Sequence, residues 1–167
     1  EHSWRVLSAA FSPDGTQVLT GSNIGTVKLW DAATGNELRT FEVQSSRALS
    51  VAFTPDGDQI LTHSSDGTAK LRDATTGTEM RTFSGLESAF TPDGTGLLIG
   101  SEDGIMKLWD VASGAELRTF AGHANRLNSI AFSPNGDQVL TGSWDGTAKL
   151  WDVVTGTELR TFASGGG

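Results

Sequence analysis

The chain has 167 residues, a formal net charge of −8 and no cysteine. That charge balance argues against general nucleic-acid binding, which needs clustered cations to displace counterions from phosphates, and the missing thiols exclude disulfides and thiolate catalysis. No apolar run approaches the roughly 18 residues of a membrane-spanning helix, and Glu1-His2-Ser3 opens directly into a repeat, so the expected setting is soluble and cytoplasmic, with no membrane partner.

Four versions of one pattern follow in chain order. Their ends, Trp30-Asp31, Arg72-Asp73, Trp109-Asp110 and Trp151-Asp152, recur at intervals of 42, 37 and 42 residues. Each unit opens on a short apolar run, strand a, ending at Phe11, Phe53, Phe90 or Phe132. A turn with Pro13, Pro55, Pro92 or Pro134 comes next, where proline presets φ and a following glycine supplies a positive φ. The third unit has lost five residues between Phe83 and Phe90, so its strand a is expected to be short and its seam irregular. The fourth reads most fully: strand a over 126–132, strand b over 138–143, an Asp145-Gly146 turn, strand c over 147–152 and strand d over 158–162, with Leu159 available for the covered face. Unit boundaries fall at 1–43, 44–83, 84–120 and 121–163, leaving 164–167 as a flexible tail. Residues 2–43 and 123–164 are identical at 27 of 42 positions.

Four antiparallel strands with short turns, repeated near every 40 residues with Gly-His and Trp-Asp signals, form a propeller blade. From His2 to about Phe162 the chain resembles the WD-repeat family of β-propellers, which implies an all-β fold of four blades and a non-catalytic scaffold for protein partners. The resemblance also implies a buried relay of a histidine before strand a, a hydroxyl on strand b, an aspartate in the b–c turn and the strand c tryptophan. The fourth unit has all four, as His123, Thr141, Asp145 and Trp151. Elsewhere the set is broken: Ile24 replaces the aspartate of unit one beside His2, Thr20 and Trp30, and Gln44 and Arg72 flank Thr62 and Asp66 in unit two. Unit three keeps Asp103 and Trp109 but has Ile99 and no histidine. Blade four is therefore expected to be the most rigid, and blade two or three the least.

The remaining polar residues follow the repeat. His63 takes the strand b place held elsewhere by Gly21, Gly100 and Gly142, and histidines in separate blades do not offer the convergent spacing of a zinc site. No metal, cofactor or catalytic set is expected. Glu37, Glu79, Glu116 and Glu158 each stand two residues before an arginine, which on a regular strand gives a solvated rim pair worth little. Arg5, Arg47 and Arg126 open strand a, which lines the channel in the family resembled. With Trp144 in the b–c turn of the fourth unit, they are the candidate residues for a protein or peptide carrying a carboxylate or phosphate.

Propellers of this type usually close with seven or eight blades, and four leave two blade faces uncovered. A homodimer with blade one of each copy against blade four of the other supplies eight. The alternative is an excised or engineered array whose role is purely structural self-assembly, with no natural ligand.

Overall fold

In the computed structural model, residues 5–42 and 47–163 are described, and their regular structure is entirely β-strand. The first sheet comprises β1 (Val6–Phe11), β2 (Gln17–Ser22), β3 (Thr26–Asp31) and β4 (Glu37–Glu42). The second comprises β5 (Ala48–Phe53), β6 (Gln59–Ser64), β7 (Thr68–Asp73) and β8 (Glu79–Ser84). The third has β9 (Glu87–Phe90), β10 (Gly96–Gly100), β11 (Met106–Asp110) and β12 (Glu116–Phe120), and the fourth has β13 (Leu127–Phe132), β14 (Gln138–Ser143), β15 (Thr147–Asp152) and β16 (Glu158–Ala163). Each sheet is an antiparallel meander in chain order and forms one blade. The chain divides into two compact units, Glu1–Ser84 with two blades and Gly85–Gly167 with the other two.

Side chains lock the turns. In the first a–b turn, Ser12 Oγ accepts the Gln17 N–H at 2.9 Å while Asp14 accepts the Thr16 N–H at 3.0 Å. The aspartate that closes strand c does the same for the c–d turn. Asp31 accepts the Thr34 N–H at 2.7 Å, and Asp73, Asp110 and Asp152 repeat the bond with Thr76, Ser113 and Thr155. These carboxylates are turn caps, and the hydrogen bonds they accept lower the proton affinity of Asp31, Asp73 and Asp152.

Alternation along the strands buries one row of side chains between paired blades. In the first unit, Leu19, Val27, Leu29 and Phe41 meet Ala48, Val51, Phe53, Ile60 and Ala74. In the second unit, Leu98, Met106, Leu108 and Phe120 meet Leu127, Val139 and Trp151. At about 1.5–3 kcal/mol for each large apolar side chain buried, these rows are the main stabilising contacts of each unit.

Two bulges depart from simple alternation. Strand a skips a residue in three blades: Val6 pairs with Ser22 but Ser8 with Gly21, and the shift recurs at Ala48/Ser50 and Leu127/Ser129. The third blade lacks this bulge because its shortened β9 begins at Glu87. There the chain enters through Gly85, where a Cβ would lie 2.3 Å from Ile99 Cγ2, so only glycine fits. The second bulge lies in strand d, where Leu29 pairs with Arg39 but Trp30 with Glu37, and the shift is repeated in the other three blades.

This second bulge corrects two expectations. The inserted residue, Leu38, Met80, Leu117 or Leu159, is exposed instead of joining the covered face. Glu37 and Arg39, although two apart, point to opposite faces. Glu37 lies on the Trp30 face and pairs with Lys28, and Glu79, Glu116 and Glu158 pair likewise with Lys70, Lys107 and Lys149 at 2.7–2.9 Å. The arginine is thrown onto the opposite face: Arg39 donates to the Thr76 carbonyl at 3.0 Å in the next blade, and Arg118 to that of Thr155 at 3.1 Å. A bulge re-aims side chains in this way because two residues oppose one.

Candidate functional site

In the fourth blade, β14, β15 and their connecting loops bring His123, Thr141, Asp145 and Trp151 into one hydrogen-bonded chain. The His123 ring lies 2.8 Å from Asp145 through Nδ1 and 2.8 Å from Thr141 Oγ1 through Nε2. Trp151 Nε1 donates to the same threonine oxygen at 2.8 Å. An ionised Asp145 only accepts, so Nδ1 carries the ring proton, Nε2 accepts the Thr141 hydroxyl, and the donors run in one direction from indole to carboxylate. Burial alone would raise the Asp145 carboxyl. The Thr147 hydroxyl, the Ala124 N–H, the His123 ring and the Thr147 N–H together outweigh it and hold the group well below the usual carboxylate range.

The relay is dry. Thr141 and Trp151 are essentially inaccessible and His123 is buried. Trp151 packs edge-on to Phe120 of the preceding blade, with ring centroids 6.1 Å apart, and to the His123 ring at 6.0 Å. Gly122 precedes the histidine because a Cβ there would sit 2.9 Å from Trp151 Cη2. The Gly-His pair of the sequence thus records close approach of the indole to the backbone.

The other blades hold fragments. In the first, Trp30 Nε1 donates to Thr20 Oγ1 at 2.7 Å, while Ile24 is exposed in the b–c turn. In the second, Thr62 is buried and turns to the Lys70 carbonyl, and Arg72 reaches out to Glu79 at 3.2 Å, leaving its buried Nε without a hydrogen-bond partner among the described residues. Asp66 caps Thr68. In the third, Ile99 is buried, Asp103 caps its own turn through Ser101 and the Ile105 N–H, and Lys107 lies over Trp109. The b–c aspartate therefore has a second role as a turn cap, which it keeps when the histidine is absent. His2 and Gln44 lie outside the described residues, as do residues 164–167.

The strand a arginines occupy equivalent places. Each has its carbonyl bound by a b–c turn N–H: Arg5 by Asn23 at 2.9 Å, Arg47 by Ser65 at 3.0 Å and Arg126 by Trp144 at 3.0 Å. Arg5 and Arg47 are exposed in the first unit. In the second unit, Arg126 lies with its guanidinium carbon 3.9 Å from the centroid of the Trp144 ring, and that indole is 61% exposed. The two form a cation–π pair whose contact sequence reasoning missed, having placed Trp144 beside the arginines only by face. Glu87, on β9 where the other blades carry Ser8, Ser50 and Ser129, is half-buried. Burial raises its carboxyl and the nearby Arg126 charge offsets part of the rise. Among the described residues no three His, Asp or Glu side chains are placed to hold a metal ion, and His63 is buried on β6.

Successive four-stranded antiparallel blades, the fourth closed by a Trp-Thr-His-Asp relay, define a protein of the β-propeller class. The chain belongs to the WD-repeat family: the WD domain, G-beta repeat matches residues 1–31, 35–73, 80–110 and 114–152. Repeats of this family generally act as non-catalytic scaffolds for protein–protein interaction. The chain is also similar to an uncharacterised WD repeat-containing protein of Nostoc sp., with 51% identity over 41 residues. That match covers 25% of this chain and spans 3% of the Nostoc protein.

Proposed function

We propose that this chain is a non-catalytic, rigid scaffold for protein or peptide partners, working in the cytoplasm, and that it assembles with itself. The observation that carries the scaffold reading is the Arg126–Trp144 pair. A guanidinium already stacked on an exposed indole keeps its in-plane donors available for a carboxylate or phosphate, and the indole offers apolar area. Arg5 and Arg47 hold the same strand position in the first unit, where both are exposed. A peptide array of acidic and phosphorylated sequences tests it. Binding is expected to fall by about tenfold or more when Trp144 or Arg126 becomes alanine, and unchanged binding by a variant with all three arginines replaced by alanine overturns the assignment.

Self-assembly is supported by apolar residues left exposed on the first and fourth blades, Phe11 and Phe162 among them, since contiguous exposed apolar surface marks an interaction site. Two copies supply eight blades, blade one of each against blade four of the other, and close a ring. Light scattering over a dilution series is expected to give about twice 17.6 kDa; a ladder of larger species argues against closure, and 17.6 kDa throughout argues against self-assembly. The close identity of the first and fourth repeats favours a second reading, a purely structural array with no natural ligand. An array screen that finds no binder while the doubled mass persists selects it.

A further inference from the structure

The two units each contain one seam between consecutive blades, and the two seams are built from equivalent residues. On the leading side, Leu19 and Phe41 of blade one correspond to Leu98 and Phe120 of blade three, and all four are buried. On the receiving side, Ala48 and Phe53 of blade two correspond to Leu127 and Phe132 of blade four and are covered in the same way. Two further contacts recur. The a–b turn glycine of the receiving blade lies against the proline of the leading one, Gly57 on Pro13 and Gly136 on Pro92, with 3.4 Å from an added Cβ to proline Cδ in both. The strand d arginine of the leading blade reaches the c–d turn of the receiving one, as Arg39 to Thr76 and Arg118 to Thr155.

Blade one carries the receiving side of such a seam and blade four the leading side, both left exposed among the described residues. Val6 and Phe11, at the places of Leu127 and Phe132, are 49% and 69% exposed; Leu140 and Phe162, at the places of Leu19 and Phe41, are 43% and 47% exposed. A Cβ added at Gly15 or Gly35 meets nothing within 4 Å, whereas the equivalent Gly57 and Gly77 meet Pro13 and Phe41.

We propose that these two faces dock head to tail between copies of this chain, reproducing the internal seams: Leu140 and Phe162 against Val6 and Phe11, Pro134 on Gly15, and Arg160 on the Thr34 carbonyl beside Gly35. The occupant of each face is a second copy because the chain's own blades already show which residues that face accepts. The inference rests on the self-assembly reading and specifies its interface as heterologous, in which unlike patches meet.

The test is complementation between Phe11→Asp and Leu140→Asp, both at exposed positions, with the far-UV circular dichroism spectrum of the wild type as the check on folding. Each variant spoils one side of every interface it makes with itself, so each alone is expected at 17.6 kDa by light scattering. Mixed in equal amounts, they share one interface with both faces intact, and the doubled mass is expected to return. Arg160→Ala, which touches no apolar row, is expected to weaken association by about tenfold with an unchanged far-UV circular dichroism spectrum. Either aspartate variant remaining dimeric alone, or a mixture that stays at 17.6 kDa, overturns the head-to-tail docking while leaving self-association intact. A wild-type chain that is itself monomeric at every concentration overturns both.

Discussion

Blades two and four follow the same strand plan but differ in what lies inside them. Their pairings match position for position, Thr62 opposite Lys70 and Thr141 opposite Lys149, with the same bulges in strands a and d. Blade four holds a complete relay, whereas blade two has Arg72 in place of the indole; Thr62 bonds the Lys70 carbonyl as Thr141 bonds that of Lys149. The blade shape is therefore set by strand alternation and turn caps, which both possess, and the relay adds cohesion to a form that does not require it. Buried polar networks act in this way: satisfied, they hold a core in one arrangement, and their absence leaves the fold standing but looser.

The largest test of that contrast removes Trp151. Trp151→Ala deletes a buried ring, its contact with Phe120 and the donor to Thr141, and is expected to lower the stability of the second unit by about 3–5 kcal/mol in urea unfolding. Arg72→Ala, at the same position in blade two, is expected to cost far less because it removes an ion pair to a half-exposed Glu79 and a buried nitrogen without a hydrogen-bond partner among the described residues, not a bonded ring. Equal losses would mean that the position, and not the relay, carries the stability. Next is His123→Ala, which empties a buried position and takes one hydrogen bond from each of Thr141 and Asp145, and is expected to cost about 1–3 kcal/mol. Native-state hydrogen exchange should show blade four better protected than blade two in the wild type, with the difference removed by this substitution. Uniform protection across blades would contradict it.

A smaller change runs the other way. Arg72→Trp restores an indole opposite Ile60, where its N–H can reach Thr62 as those of Trp30 and Trp151 reach Thr20 and Thr141. The buried guanidinium nitrogen without a partner disappears. A gain of about 1 kcal/mol is expected in the first unit, and a loss would show that the Arg72–Glu79 pair is worth more than the missing relay bond.

Much of this contrast is legible in the sequence, and the parts that are not have a common cause. The strands and turns follow from Phe-x-Pro, Asp-Gly and Trp-Asp punctuation, because proline, glycine and capping aspartate act within two or three residues of themselves. The same repetition makes the places of His123, Thr141, Asp145 and Trp151 comparable between units. The bulges have no such local mark. One residue inserted into strand d reverses the faces of Glu37 and Arg39 and exposes Leu38 and Leu159, and a period-two reading of Glu-Leu-Arg-Thr-Phe gives no sign of it. Nor does position predict the stack of Arg126 on Trp144, since Arg5 and Arg47 stand opposite Asn23 and Ser65, which have no ring to offer.

The smallest expected effect is in acid, where the comparison is between a relay aspartate and turn-capping ones. A carboxyl held low in the folded state contributes stability that is fully present above its unfolded value, near 3.9, and is lost as the pH falls through the folded one. Asp14, Asp56 and Asp93 are lowered by their own turn hydroxyls and N–H groups, so every blade weakens in acid and wild-type unfolding alone cannot isolate the relay. Asp145 differs in that its partners come from two segments: the His123 ring and Ala124 N–H of the loop before β13, and Thr147 of its own turn. Asp145→Asn removes its charge but leaves a turn acceptor. The melting temperature of the variant is therefore expected to lie below that of the wild type at pH 7, and the gap should narrow below about pH 4, where Asp145 of the unfolded chain takes up a proton and that of the folded one does not. The narrowing corresponds to on the order of 1 kcal/mol. A gap that stays constant from pH 7 to pH 2.5 would place the relay's strength in its geometry alone and remove the carboxylate charge from the difference between blades.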